Sequence, residues 1–551
     1  MNDHARGDHD RARSMLMAQM RGINTRYAPV RWSSLGEWET YAAWLRRQVG
    51  VSLALEPEAP RAPLKARTFG LWQGDGYRCE KVHFESLPGY RVTGNLFRPA
   101  AGPSRRGPGI LCPHGHWADG RLHDRDPLGS VIARCIQLAR MGAVVFSYDM
   151  VGYNDSCQVP HRDFQDDPAY GLSLMALQTW NSIRALDWLL ERGDVDPRRI
   201  GITGASGGGT QTFALCAVDP RVAAAAPICM ISYQMQGGCI CENAPLLRLD
   251  ATSVDIARLF APKPLFMGSC TGDWTRDTAT EEYPAMANVW ALYEARDAVR
   301  HFQVDEDHNY NREMREHAYG FFNQVLFAAG SAEPVAEPEI ERPPLRHRMV
   351  YWGREAPPRL TAAELRALWR ARADRALRPH LKDAHAARRD LGPLLPYAVG
   401  ETPSRRKGGT SPGIEIRREG EALVVHEIAP LAYPQEADRM FPCYNRTPFA
   451  ERVLAVADAV EASGRVRLVG RGPAGPAVLL AAALSPGVTA VEAELRGFEP
   501  DHDASWSRCF DTPLIRGIGG MATVFARIGP RPVRLLGASE AARTLHARYG
   551  R

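Results

Sequence analysis

Residues 204–208 read Gly-Ala-Ser-Gly-Gly, a G-x-S-x-G pentapeptide centred on Ser206. A serine between small residues can sit on a tight turn with its hydroxyl exposed, as a nucleophile must. Alone the pentapeptide is weak evidence in a chain of 551 residues. Its flanks strengthen it: the apolar stretch RIGIT leads in, and the helix-compatible, small-residue stretch TQTFALCA leads out. A helix starting there directs its first N–H groups and the positive end of its dipole toward charge developing beside the serine. The other common use of a Gly-rich turn is to cradle phosphate. Neither a G-K-[ST] continuation nor a G-x-G-x-x-G with a downstream acid is present to support it.

A serine hydroxyl at its ordinary pKa is a poor nucleophile, so a base and an orienting acid are required. Past the apolar stretch KPLFMGSC lies Asp273, and past HFQVDED lies His308. Both follow strand-like segments, in the order serine, acid, histidine. Asp273 is therefore the expected acid and His308 the expected base. Glu242, beyond the preceding strand, is a second candidate acid, and Asp277 suits a helix cap. His301 begins a strand and His317 falls inside a helix, so both are misplaced for the role.

Two N–H donors are needed for the oxyanion. Gly207 supplies one by position; His116, in the His114-Gly115-His116-Trp117 run after ILCP, is expected to supply the other. His114, His116 and His123 with Asp119 and Asp124 also invite a metal reading. One H-x-H with loop-spaced acids lacks a ligand signature, and no metal is expected. Cys229, Cys239, Cys241 and Cys270 fall near the same loops. Cys239-Ile-Cys241 is not a C-x-x-C pair, so these are expected to be small buried residues before a zinc site or a regulatory thiol. Trp117, Tyr233 and Trp274, with Gln234, Gln236 and Asn243, are candidates to line a substrate pocket.

The elements that must position these residues are legible from periodicity. Residues 1–66 read as a helical segment, with Leu35, Trp38, Tyr41, Ala42, Trp44 and Leu45 at helical spacing. YRCEKVHFES and YRVTGNLFRP alternate and turn at Pro88-Gly89, a hairpin. From there to residue 330 strand-like and helix-like segments take turns, which implies a mostly parallel sheet covered on both faces. Residues 331–410 begin with the Pro/Glu-rich SAEPVAEPEIERPPLRHR and read as a linker followed by a helix with a Thr361–Glu364 capping box. After the basic SRRKGGTSPG patch, residues 411–551 read as a second α/β domain.

That second domain resembles the first. RIGITGASGGGT (199–210) aligns with RVRLVGRGPAGP (465–476), and PLLRLDATSVDIARLFAPKP (245–264) with PLIRGIGGMATVFARIGPRP (513–532), at offsets of 266 and 268 residues. Gly472 stands where the first copy has Ser206, so the second copy is expected to keep the fold and lack the nucleophile.

Composition bounds the rest. The chain is 45% hydrophobic and 24% charged, which suits a soluble multidomain protein and excludes a disordered or fibrous one. A net charge of +5, spread along the chain, gives no case for nucleic acid. Eleven scattered cysteines do not form a disulfide framework, no apolar run of membrane-spanning length is present, and the start carries no signal-peptide core. A cytoplasmic location and no membrane partner are expected.

The segments DPRRIGITGASGGGTQT, CENAPLLR, GDWT and DHNYN, within residues 196–311, resemble the bacterial acetyl xylan esterase-like hydrolases, a resemblance that covers roughly residues 70–330. Those are related to the dienelactone-hydrolase and prolyl-oligopeptidase-like branches of the α/β-hydrolase superfamily. The resemblance implies an α/β-hydrolase fold and a carboxylic-ester hydrolase with no cofactor. Ser206, Asp273 and His308 match its triad, and the expected substrate is a small-molecule or saccharide ester. Two departures stand: no secretion signal is seen, and no β-propeller precedes the hydrolase segment. A peptidase or acyltransferase on the same turn, and a non-enzymatic scaffold, are the alternatives.

Overall fold

The computed structural model describes residues 20–101, 106–126, 128–405, 413–427 and 439–551. The chain's start and most of the SRRKGGTSPG patch lie outside them. Helix α1 (Leu35–Ser52) is capped by Ser34, whose side chain accepts from the Glu37 N–H, and buries Trp38, Ala42, Leu45 and Val49. That i, i+4 stripe packs into the same core as the main sheet.

Strands β1 (Arg67–Gln73), β2 (Tyr77–Leu87) and β3 (Tyr90–Pro99) form an antiparallel meander. The hairpin turns where expected, with Gly89 at φ 80°. Six strands parallel to one another follow: β4 (Gly107–Leu111), β5 (Val144–Tyr148), β6 (Val195–Ala205), β7 (Ala224–Ile228), β8 (Leu265–Cys270) and β9 (Val299–Val304). Between and after them run α2 (Val131–Arg140), α3 (Leu174–Leu190), α4 (Gly207–Val218), α5 (Ser253–Arg258), α6 (Glu282–Leu292) and α7 (Arg312–Val325). The strand order across the sheet is β1-β2-β3-β5-β4-β6-β7-β8-β9. From β3 the chain skips one slot to β4, fills it with β5, and then moves outward strand by strand. This is the α/β-hydrolase fold, with β1 as an extra edge strand. Parallel strands deliver their following loops to one edge of the sheet, and every expected catalytic residue is on such a loop.

Residues 331–348 differ from a free linker. They run back across α7 as a strap that is extended up to Pro344 and ends in a helical turn at Leu345–Arg348, with Val335 N–H donating to Glu316 O (3.1 Å) and Tyr77 Oη to Glu341 O (2.6 Å). Glu337, nearly fully buried, accepts from Arg315 Nε (2.7 Å), Arg315 Nη2 and Tyr319 Oη. Pro- and Glu-rich composition resembles a solvated spacer, but here the glutamate neutralises a buried arginine. Helix α8 (Ala362–Leu377) then starts at the expected Thr361–Glu364 capping box.

The second sheet is β10 (Ile414–Glu419), β11 (Ala422–Glu427), β12 (Val466–Arg471), β13 (Val488–Glu494) and β14 (Val533–Leu536), in sequential order, parallel from β11 onward. It packs with α9 (Pro448–Ser463), α10 (Gly475–Leu484), α11 (Gly520–Ile528) and α12 (Glu540–Tyr549) around its own core. Leu377, Leu391, Leu394 and Leu395, from the segment read as linker and helix, belong to that core as well.

The two halves match in backbone detail. Ser206 (φ 58°) corresponds to Gly472 (φ 55°), Cys229 (φ 51°) to Arg496 (φ 46°), and Leu246 (φ 60°) to Leu514 (φ 69°). Left-handed values are uncommon for residues with a side chain, so their recurrence at nearly one offset is specific. Their contact is reciprocal. Leu246 and Arg248 N–H donate to Pro442 O (2.7 Å) and Cys443 O (2.9 Å); Leu514 and Arg516 N–H donate to Pro168 O (2.7 Å) and Ala169 O (2.9 Å). Equivalent donors meet equivalent acceptors, the pattern of a two-fold interface within one chain.

The strap yields a stability test. Glu337→Ala takes from the buried Arg315 one of its two carboxylate partners and leaves Asp126 (2.8 Å) as the other, which costs about 1.5–3 kcal/mol. A large fall in the thermal or urea midpoint is expected; an unchanged midpoint would remove the strap from the folded core.

Candidate active site

Ser206 occupies the step from β6 to α4 with φ 58° and ψ −126°. A non-glycine residue held there carries strain of about 1–3 kcal/mol, so its surroundings must over-determine it. They do so through the backbone: Ser206 N–H donates to Ile228 O (3.1 Å) and Thr210 N–H to Ser206 O (3.0 Å). The neighbouring glycines admit close approach. A Cβ on Gly204 would lie 2.6 Å from Pro113 O, and one on Gly208 would lie equally close to it. The loop after β4 is therefore seated directly on the turn. A Cβ on Gly115 would lie 3.1 Å from the Ser206 Cβ, and one on Gly207 would lie 2.6 Å from His116 Cε1. Gly207 is the first residue of α4, so its N–H has no acceptor within the helix.

Asp273 follows β8 and His308 follows β9. Asp273 Oδ2 accepts from His308 Nδ1 (2.7 Å), and Oδ1 accepts from the N–H (2.6 Å) and hydroxyl (2.5 Å) of Thr275. With Nδ1 carrying the proton, Nε2 presents its lone pair. That nitrogen is buried and has no hydrogen-bond partner among the described residues. Trp274 and Trp117 flank the imidazole, with ring centroids 4.4 and 5.7 Å away. Trp117 also folds back on its own loop, since its Nε1 would be 3.2 Å from a Cβ on Gly115. No hydrogen bond joins Ser206 to His308 Nε2; such bonds are often long before substrate binds.

Glu242 keeps other company. Its carboxylate accepts from Cys239 N–H (2.9 Å) and Thr210 Oγ1 (3.3 Å), and burial raises its pKa. The structure thus brings Asp273, not Glu242, to His308. Asp277 bonds to Gln234, His301 to Ser269 Oγ (2.8 Å), and His317 stacks on Phe302. Tyr233 corrects the pocket expectation: it is 1% exposed within the main core, because its loop turns the ring inward while its N–H donates to Glu282 Oε1. Trp117 and Trp274 remain partly exposed beside His308.

The histidine-rich loop is anchored from behind. Arg121 is fully buried, donates to Asn95 Oδ1 (2.5 Å) and pairs with Asp149 (3.0 Å) and Asp155. His114 accepts from Met150 N–H at Nε2 (2.9 Å) and donates from Nδ1 to Gly115 O (2.7 Å). Burial lowers its pKa to about 3, so it is a neutral structural residue. The metal grouping weighed from sequence is not assembled: His114 is saturated, His123 stacks on Trp117 (5.0 Å), and Asp124 accepts from Ser130 Oγ (2.6 Å). His116 instead faces Cys241, in company with His161 and Cys239. His161 carried no sequence signal, since 78 residues separate it from Cys239.

No protein-family model matches the chain, and no curated protein matches it. Solved structures do. A methylesterase is 28% identical, with a TM-score of 0.48 over 58% of this chain and 68% of that one. A glucuronoyl esterase from Solibacter usitatus is 16% identical (TM-score 0.40; 56% and 99% covered). An acetyl xylan esterase from Paenibacillus sp. R4 is 17% identical (TM-score 0.34; 54% and 98% covered). Among the described residues no helix is long and apolar enough to cross a membrane.

The contact between the turn and the loop after β4 can be tested directly. Gly204→Ala drives a methyl group against Pro113 O and the Gly208 backbone, neither of which is a flexible side chain. Overpacking of this kind costs about 1–3 kcal/mol. A lowered melting temperature, read by circular dichroism, is the expected result.

Proposed function

We propose that the protein is a serine carboxylic-ester hydrolase working through an acyl-enzyme. One observation carries the reading: Ser206 stands at a left-handed strand-to-helix turn, on the same sheet edge as an Asp273–His308 pair whose Nε2 is buried and unpartnered. In this reading Ser206 Oγ attacks the ester carbonyl while His308 Nε2 accepts its proton. Asp273 holds the imidazole in the required tautomer and offsets the charge of the imidazolium. The N–H groups of Gly207 and His116 receive the oxyanion. His308 returns the proton to the departing alcohol, then deprotonates the water that releases the acid. The cycle needs no cofactor.

The flanking rings of Trp117 and Trp274 bear on the substrate. Flat apolar faces beside a polar reacting centre suit the C–H faces of a sugar ring, so a saccharide ester is the proposed substrate class. The second domain carries glycine at position 472 in place of the nucleophile and serves as a structural partner.

The test is steady-state hydrolysis of p-nitrophenyl acetate and of an acetylated monosaccharide. Ser206→Ala is expected to lower kcat/KM by about 10⁴-fold or more with the fold intact. Asp273→Asn is expected to cost about 10⁴-fold, through the wrong tautomer. Glu242→Gln is expected to stay within about tenfold. Full activity in Ser206→Ala sinks the proposal, and collapse in Glu242→Gln alone moves the acid to that residue. Faster cleavage of aminoacyl amides, or transfer to alcohol acceptors, would make it a peptidase or an acyltransferase.

A further inference from the structure

Beside the nucleophile turn, three loops far apart in sequence each contribute a metal-capable side chain to one point. His116 comes from the loop after β4, His161 from the loop between β5 and α3, and Cys239 and Cys241 from the loop after β7. One ligand atom of each lies within 4.8 Å of every other. His116 Nε2 is 3.0 Å from Cys241 Sγ, and His161 Nε2 is 3.3 Å from Cys239 Sγ. We propose that His116, His161, Cys239 and Cys241 form a closed Cys2His2 site for a zinc-type divalent cation, which clasps the proposed oxyanion loop to the loops after β5 and β7.

The chemistry of the donor set favours an ion over four side chains bonded only to one another. Zinc takes thiolate sulfur at about 2.3 Å and imidazole nitrogen at about 2.0–2.1 Å, so tetrahedral donors stand about 3.3–3.8 Å apart. The two His–Cys spacings, 3.0 and 3.3 Å, stand at or just below the bottom of that range, and no pair of ligand atoms is more than 4.8 Å apart. The orientation of His161 is already that of a ligand. Its Nδ1–H donates to Val151 O (2.7 Å), which leaves the Nε2 lone pair aimed into the cluster. A histidine ligand commonly has its other nitrogen fixed by such a bond. Thiols are weak hydrogen-bond donors, so two S–H···N contacts are a small return for ordering three loops. Two thiolates and two neutral imidazoles match a soft-to-borderline divalent ion and would cancel its charge.

Two consequences distinguish this site from the triad. Four protein donors complete a tetrahedron and leave no position for water or substrate, so the ion is structural. The His116 ring lies against Gly207, and the same residue's N–H is the proposed second oxyanion donor. Metal binding does not depend on the esterase reading, and its readout is independent of turnover.

The experiment uses the full chain purified under reducing conditions. Elemental mass spectrometry is expected to find about one zinc per chain. After chelation, reconstitution with Co²⁺ is expected to give the near-ultraviolet thiolate-to-cobalt band and the intense visible bands of a tetrahedral centre. Cys239→Ser with Cys241→Ser is expected to lose the thiolate band, and His161→Ala to weaken cobalt retention. Should these variants misfold, the wild-type cobalt spectrum still decides. Four results would overturn the site: no metal before or after reconstitution, a weak octahedral spectrum, an unchanged spectrum in the double cysteine variant, or a Cys239–Cys241 disulfide in the reduced preparation.

Discussion

Much of the molecule is arranged around a backbone that ordinarily would not stay put. A serine at φ 58° relaxes into a common conformation unless its neighbours forbid it. The restraint comes from two sides. Ile228, at the end of β7, accepts the serine N–H, and Pro113, after β4, lies where side chains on Gly204 and Gly208 would otherwise be. Three adjacent parallel strands thereby hold one residue. The sheet order matters because β4 and β7 flank β6 on either side, although 113 and 228 are remote in sequence.

The same close contact brings the loop after β4 into the site, and that loop must in turn be held. Arg121, paired with Asp149 and Asp155, anchors its far end in the interior, while His114 is spent on Met150 and Gly115. The near end, at His116, is held by what its ring meets: Gly207 on one side, Tyr153 edge-on, and Cys241 with its neighbours on the other. Asp273 and His308 need less support from elsewhere. Each stands directly past a strand, and the threonine two residues after Asp273 satisfies its second oxygen.

What was legible in the sequence was what is local or ordered along the chain. The turn at Ser206 is written in five residues, the strands in their apolar runs, and Asp273 and His308 in their order after successive strands. The preference for Asp273 over Glu242 followed from that order, and the hydrogen bond to His308 is consistent with it. Other features depend on partners that no local pattern announces. Glu337 sits in a stretch whose composition suits a spacer, and the buried guanidinium of Arg315, 22 residues earlier, together with the Tyr319 hydroxyl gives it a place in the fold. Tyr233 is on the right loop for a pocket, yet a single side-chain direction puts it in the core. His161 and Cys239 meet across loops of unrelated sequence, so neither spacing nor motif could pair them. The repeat was visible as aligned residues, while its left-handed positions at Leu246 and Leu514 needed coordinates.

The reciprocal contact between the halves has the form of a symmetric dimer whose subunits share one chain. In a dimer of identical chains every substitution is made twice, so a change tolerable in one active site is imposed on the other. Covalent joining lifts that restriction. Pro-Leu-Leu-Arg and Pro-Leu-Ile-Arg each keep their grip on the opposite half, while one turn retains a hydroxyl and its counterpart has glycine with Arg496 packed against it. Here symmetry survives where the halves touch and has lapsed where chemistry would be done.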